Sequence, residues 1–575
     1  MHRHLYILII FVLAAAGMAV SAQDATPTPT PVDRGVAPEN IKGVPPVAPD
    51  YRSDERALPD LGRVGVDLLQ QRALTLRQAI ELALENNKDI EVTRKNESVA
   101  EFDLRIARAF YQPRLTGQTY YDRSTVPNVS IFSNNQKTTQ GSFVGNAALQ
   151  AYVPNYGTVF SGTFNNQRLS TDNPISILSP QLNTNLGFSV TQPLFRGRKF
   201  DQPRRAIEIA KRNISLTDIQ FRQRSIEVVA GVQRAYWDLT FALRNLQVQR
   251  DGVRDAKSQL EHNRRLVDEG QLAPIDIIAA ETQVANFEQA VYDALNAVNL
   301  SENVLKNLMS PNRNDAIWNE ALMPVESVEL APANTSLVEA METALAGRPE
   351  IEINQAQKEI NAIDQRFYRE QKKPQIDFVA SYSTAGIGGS QNPNFSPNFP
   401  TPCSIDPASP ACAQQRANLA LLTGNPFGGL LANRYPVLRF GVNFNLPLFG
   451  DKTAKAQLGR VLVEAERLEI QKEQAEQVIQ VEVRNALQAI KTGEARLRSA
   501  AIARENTAKQ YESEQRKLDE GQSDIYRVLE RQTALTVARS NELRARTDLN
   551  KAIADLQRAT GNSLKANDVV PKLKK

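Results

Sequence analysis

The chain carries TQPLFRGRK at residues 191–199 and NLPLFGDKT at 445–453. Both stretches stand between the same two kinds of sequence. Before the first, LNTNLGFSVTQ (182–192) sets Leu182, Leu186, Phe188 and Val190 against Asn183, Asn185, Ser189 and Thr191. Before the second, VLRFGVNFNL (437–446) sets Leu438, Phe440, Val442, Phe444 and Leu446 against Arg439, Asn443 and Asn445. Alternation of this kind is the period of a strand with one apolar face. After each Pro-Leu-Phe comes a very long helical pattern, 200–268 and 453–519. Pro193 and Pro447 have no N–H for a ladder and a fixed φ, so each ends a strand before a helix begins. Pro113 and Pro374 mark the reverse change, helix to strand. The pairs Leu194-Phe195 and Leu448-Phe449 are predicted to pack at these junctions.

Working outward, further pairs of matches appear in the same order. TLRQAIELALENNKDIEV (75–92) resembles SLVEAMETALAGRPEIEI (336–353), AFYQPRL (109–115) resembles EQKKPQI (370–376), and NRRLVDEGQ (263–271) resembles SEQRKLDEGQ (513–522). All are offset by about 250–260 residues, which reads as an internal duplication. Each copy runs helix (76–110; 336–371), strands, long helix, DEG turn, and a last helix (275–309; 525–559). A helix of this length spans ~100 Å and needs partners along all of it. The seam is visible in Ile277, Ala280, Val284, Phe287, Val291, Ala294 and Val298, and in Val253, Ala256, Leu260, Asn263 and Val267. It recurs in Leu535, Ala538, Glu542, Ala545, Leu549, Ala552 and Leu556, with Glu542 the polar exception. Spacings of three and four are those of a coiled coil. Gly270 and Gly521 suit the left-handed position that ends a helix.

Composition narrows the class. With 575 residues, 6% aromatics and a formal charge of +4, the chain is long and lean in core formers. Basic and acidic residues are interleaved, which gives no nucleic-acid footprint. Residues 1–22 read as a secretory signal peptide, with Arg3 before the apolar Leu5–Val20 and a Val20-Ser21-Ala22 site; a membrane anchor is the alternative. Residues 23–70, with TPTPTP and VPPVAPD, read as a Pro-rich arm. The remaining divisions are a first repeat at 71–310, a joining segment at 311–335, a second repeat at 336–560 and a tail at 561–575. Cys403 and Cys412 are the only cysteines, and in an exported chain they are expected to form a disulfide rather than a metal pair. No phosphate loop, nucleophile elbow or zincin motif is present, so neither catalysis nor a cofactor is indicated. His262 reads as a surface histidine of a coiled-coil helix.

Four strands per copy of the chain are expected, at 113–122, 182–192, 375–383 and 437–446. Four strands cannot close a barrel, and open edges are not tolerated in lipid. Two chains would supply eight strands and three would supply twelve. A further possible hairpin in 126–181, SFVGNAALQAY then GTVFSGTFNNQ, either widens that barrel or folds outside it. The Cys-bearing loop 384–436 belongs on the outer face, where long loops lie.

The order of LTLRQAIELALENNKDI, QPLF and LPLF, AYWDL (235–239) and the two DEGQ turns, over about residues 70–565, resembles the TolC-like outer-membrane efflux proteins. That resemblance implies an α+β membrane protein, internally duplicated, with an antiparallel α-helical coiled-coil barrel. It also implies a homotrimer sharing a 12-stranded β-barrel in outer-membrane lipid, with a long periplasmic portion. The implied partners are a periplasmic adaptor protein and an inner-membrane pump of RND, ABC or MFS type. The implied function is a passive conduit of a tripartite efflux or secretion system. By position, Gly270, Gln271, Leu272, Gly521, Gln522 and Ser523 would meet the adaptor. Asp276, Asp524, Arg527 and Glu530 would form the periplasmic gate, Asp276 matching a residue that relatives use in a gate-locking hydrogen bond. Solvated turn charges are the alternative for all four. The rival to the whole reading is a periplasm-spanning structural coiled-coil protein without transport, and an exported hydrolase is disfavoured by the missing motifs.

Overall fold

The computed structural model describes residues 62–127, 136–326, 335–396, 400–447 and 451–570. The signal peptide, most of the Pro-rich arm and the pair Leu448-Phe449 lie outside the described residues. The first elements are β1 (Asp67–Leu74), α1 (Leu76–Asn86) and α2 (Lys88–Ala109). Thr75 opens α1 with a capping box, its hydroxyl accepting from Gln78 N–H. The single helix expected over 76–110 is in fact two. Asn87, extended at φ −60 and ψ 130, ends α1, and its side chain accepts from Asp89 and Ile90 N–H to start α2. The equivalent stretch of the second half also breaks, into α5 (Leu337–Gly347) and α6 (Pro349–Gln371). There Pro349 forces Arg348 into the extended region.

Four strands follow α2: β2 (Arg114–Pro127), β3 (Lys137–Tyr152), β4 (Val159–Thr171) and β5 (Leu178–Pro193). Then come α3 (Gln202–Asp268), α4 (Ile275–Met309) and the short strand β6 (Glu320–Pro324). The second half supplies β7 (Gln375–Gln391) and β8 (Tyr435–Asn445). Between them lie α7 (Pro402–Ile405), α8 (Pro410–Leu422) and α9 (Pro426–Leu431). It ends with α10 (Lys452–Asp519), α11 (Ile525–Ala559) and α12 (Ser563–Ala566). Among the described residues no helix is long and apolar enough to cross a membrane.

The strand count departs from expectation. One antiparallel sheet of six strands, ordered β2-β3-β4-β5-β7-β8, replaces the four expected. The sequence left the place of the 126–181 hairpin open because two added strands do not change the direction of the exit strand. In the structure β3 and β4 pair in unbroken register from Gln140↔Thr171 to Tyr152↔Val159 and sit between β2 and β5. β2 and β8 are the two edges, and every residue of β8 is exposed. A separate parallel pair, β1 with β6, was not foreseen; β1 begins inside the stretch assigned to the arm and β6 inside the joining segment.

Two helical hairpins carry the rest. α3 packs on α4 and α10 on α11, with α2 and α6 alongside the long helices. The first seam is buried from Ala280 through Val298, and Gly252 leaves room for the Phe287 ring. At the polar exception of the second seam, Glu542 accepts from Arg504 at 2.8 Å and Arg546 at 3.2 Å. The hairpins meet each other through α11 and α3, where Gln249, Ser540 and Asn245 form a hydrogen-bonded chain.

The Cys403–Cys412 disulfide, with Cα atoms 4.5 Å apart, links α7 to α8. The adjoining α9 folds back onto the apolar face of the sheet. Phe427 stacks on Phe164 at 6.3 Å between ring centroids. A Cβ on Gly386 would stand 1.9 Å from Pro426 O, and one on Gly388 would stand 2.4 Å from Gly424 O. Gly386→Val is therefore expected to unseat α9 while leaving the sheet paired. Limited proteolysis of the folded protein should then cut between β7 and β8 faster than in the parent, and an unchanged rate would refute the contact.

Candidate functional site

Two regions of this fold meet the requirements of a conduit: the sheet with its junctions to the helices, and the hairpin tips. At the first junction Pro193 closes β5, yet Leu194 N–H still donates to Ile376 O at 2.9 Å, so pairing to β7 runs one residue further. Leu194 and Phe195 are half-exposed rather than buried. Pro113 and Pro374 precede β2 and β7, and Pro447 follows β8. The main fastener here escaped sequence reading. Arg204 donates to the carbonyls of Gly197, Arg198, Lys199 and Asn155 and pairs with Asp201 at 2.9 Å. It holds the turn out of β5, the start of α3 and the β3–β4 turn together. Only an arginine's forked donors can serve so many carbonyls. In sequence it is one of two adjacent arginines in QPRRA, with no signal of this role.

The tips are two versions of one turn. Gly270 has φ 73 and Gly521 has φ 71, the left-handed region. Gly270 N–H donates to Val267 O and Gln271 N–H to Leu266 O; Gly521 N–H donates to Leu518 O and Gln522 N–H to Lys517 O. This pair of hydrogen bonds closes the last helical turn and reverses the chain, and a side chain at either glycine would be strained. Gln271 and Gln522 are exposed and Leu272 is half-exposed. The Ser523 hydroxyl donates to Glu514. That bond, with Lys517, holds the Glu514 carboxyl below its ordinary range. Leu518, Ile525, Val528 and Leu529 form a small apolar core behind the second tip, touched by Ala279 of α4. His262 of α3 lies 3.1 Å from Asp519 of α10 and Gln283 donates to Thr533 at 2.7 Å, so the two tips are tied side by side.

The four charges named for the gate are not gathered into one cluster. Asp524 caps α11, accepting from Arg527 N–H at 2.9 Å, and its second oxygen lies 3.4 Å from Arg527 Nε. Asp276 accepts from Ala273 N–H at 3.1 Å across its own turn. Glu530 is exposed on α11. Within one copy of the chain the structure joins only Asp524 and Arg527.

Near the end of α4 away from the tips, around the β1–β6 pair, lies a buried ionic node that sequence reading also missed. Glu302 and Lys306 of α4 are fully buried. Glu302 accepts from Arg63 Nη1 at 3.0 Å and from Leu322 N–H at 2.8 Å, and Lys306 donates to Trp318 O at 3.1 Å. Burial pulls the Lys306 ammonium below its ordinary range, and the Glu302 carboxylate opposes that shift.

Solved structures share this arrangement. A membrane protein from Pseudomonas aeruginosa matches at 18% identity and a TM-score of 0.59, over 84% of this chain and 90% of that one. The CmeC outer membrane channel of Campylobacter jejuni matches at 15% and 0.58, over 85% and 86%. The outer membrane protein VceC of Vibrio cholerae matches at 13% and 0.56, over 84% and 96%. At these identities the likeness speaks for the fold. No curated protein sequence matches significantly. Residues 146–310 and 341–562 match the family described as outer membrane efflux protein. That match spans both helical hairpins and three strands of the first half, the elements built above from the Pro-Leu-Phe junctions and the two glycine turns. The chain thus belongs to the outer membrane efflux protein family, a family of channel proteins, and it is an outer-membrane channel of tripartite efflux systems.

Proposed function

We propose that the chain works as a homotrimer, three copies closing one β-barrel in the outer membrane above a periplasmic tunnel made of their helical hairpins. The observation that carries this is the sheet. Its pairing puts Phe143, Phe188, Tyr382 and Phe440 on one face and Asn146, Asn185, Ser383 and Asn443 on the other, while β2 and β8 each keep one edge without a partner strand among the described residues. Apolar-out, polar-in strands of this length belong to a membrane barrel. Two open edges have no place in lipid and must find partners in other copies of the chain. The two halves, each carrying an 11-residue helix, a second helix, strands and a 67- or 68-residue helix, are consistent with duplication.

Cargo handed over by an inner-membrane pump of RND, ABC or MFS type enters at the tips and leaves passively through the barrel. The adaptor engages the exposed turns at Gly270, Gln271, Leu272, Gly521, Gln522 and Ser523. Asp276, Asp524, Arg527 and Glu530 serve as the periplasmic gate once three copies bring them around one axis. Residues 1–22 are the export signal. Native mass spectrometry of the detergent-extracted protein is expected to give three times the mature mass. A folded monomer would refute the shared barrel.

A further inference from the structure

We propose that the β3–β4 hairpin is a segment of the membrane wall, so that three copies close a barrel of eighteen strands whose interior carries three arcs of carboxamides. This rests on the trimeric reading above and adds the width and lining of its outer pore. Three observations carry it. The first is register. β3 is not a flap on the sheet; it separates β2 from β5 along its length, with Arg114↔Gln150 through Pro127↔Lys137 on one side and the β4 pairs on the other. Removing the hairpin from the wall would break both ladders and leave β2 with no partner in its own chain.

The second is the two-faced pattern. On the apolar face Phe143 is 52% exposed, Leu149 49% and Phe160 46%, continuous with Phe188 at 57% on β5. A hairpin lying in water would present these side chains to solvent at a cost that lipid removes. An even insertion also preserves direction, so β5 still descends into α3. The β3–β4 turn lies on the helix side of the sheet, where Arg204 donates to Asn155 O at 3.1 Å.

The third is the opposite face. Gln118 stands across from Asn146, Asn146 across from Asn165, and Asn165 across from Asn185, one level on four neighbouring strands. Gln167 and Asn183 occupy the next level. An open cavity of about 460 Å³ has Tyr120, Asn146, Asn165, Gln167, Asn183 and Asn185 of this face in its lining. Carboxamides both donate and accept without charge. On β7 and β8 the same level holds Ala385 and Tyr435, so the threefold axis sets three arcs of four carboxamides around the pore, which hydrogen-bond passing solutes without selecting ions by sign. Two of the four amides of the first level, Asn146 and Asn165, exist only because the hairpin is in the wall.

Barrel diameter grows roughly in proportion to strand number, so eighteen strands give about 1.5 times the diameter of twelve. The test compares the full chain with a variant in which residues 136–172 are replaced by a short Gly-Ser turn, both in nanodiscs. Native mass spectrometry gives the copy number and electron microscopy the ring diameter. Expected are trimers in both, with the parent ring about 1.5-fold wider. A trimeric parent with a twelve-strand ring, or with the hairpin outside the wall, overturns this inference and leaves the trimer standing. A parent that is not trimeric overturns both. Should the deletion fail to fold, Ala147→Arg on the apolar face is expected to cut assembled trimer in the outer membrane at least tenfold, while Asn146→Arg on the polar face leaves it unchanged. Equal yields from these two variants overturn the inference.

Discussion

Glu302→Ala is expected to loosen the region around β1 and β6 more than any surface change in the chain. The carboxylate is fully buried between Arg63 and Lys306, and it also accepts the Leu322 N–H. Its removal leaves Arg63 and the Leu322 amide without this acceptor, and Lys306, which keeps Trp318 O, without its counter-charge. Breaking a buried ionic group by deleting one partner costs about 3–5 kcal/mol, mostly the penalty of the charge left behind. A long membrane-embedded assembly does not unfold in one step, so a global melting temperature is the wrong readout. Hydrogen exchange is local. At about 1.4 kcal/mol per factor of ten, the Leu322 amide should exchange roughly a hundred- to several-thousand-fold faster. Glu302→Gln keeps an acceptor and should fall between the two. Replacing Arg63, Glu302 and Lys306 together by Met, Leu and Met should recover most of the protection, because no charge then remains to be solvated. Unchanged exchange at Leu322 in Glu302→Ala would mean that water reaches this node.

The node also shows where sequence reading stops. In SENVLKN, Glu302 and Lys306 have the i,i+4 spacing of an ordinary solvated pair on a helix surface. Nothing local announces that Arg63, Trp318 and Leu322 close over them, since those residues arrive from other parts of the chain. The same holds for Arg204, whose acceptors are backbone carbonyls and leave no mark in the sequence. What was legible depended on period and punctuation. The Ala280–Val298 seam, the glycine turns and the prolines at the strand ends could each be read from spacing alone. The helix breaks at Asn87 and Arg348 were missed because amphipathic periodicity continues across them, although Asn87 is a good cap and Arg348 precedes a proline. The β3–β4 strands were visible as alternation, but their place in the sheet is a matter of pairing, which one strand's sequence does not encode.

Arg527→Ala is expected to raise the conductance of the adaptor-free trimer in planar bilayers. The structure makes this the cleanest of the proposed gate substitutions. Asp524 is committed twice, as cap of α11 and as partner of Arg527, so Asp524→Ala would cost about 1 kcal/mol of helix stability besides any effect on the gate. Arg527 is exposed; its side chain pairs with Asp524 and adds a weaker attraction on the Glu514 carboxylate. Deleting it leaves the cap and the apolar core of Leu518, Ile525, Val528 and Leu529 in place. A charge contact that Arg527 makes to a neighbouring copy only in the closed state would contribute about 0.2–1 kcal/mol. Three copies lose it together, about 0.6–3 kcal/mol in all, which shifts a closed–open equilibrium about 3- to 150-fold. Asp276→Asn tests the first hairpin in the same way. It removes a charge but keeps an oxygen for Ala273 N–H, so the turn should survive. Thermal stability of the trimer should stay within the small change expected for a surface charge in both variants. If conductance matches the parent in both variants while trimers assemble normally, these residues are solvated turn charges. The constriction would then have to be sought behind the tips, along the faces of α4 and α11 that three copies turn toward one another.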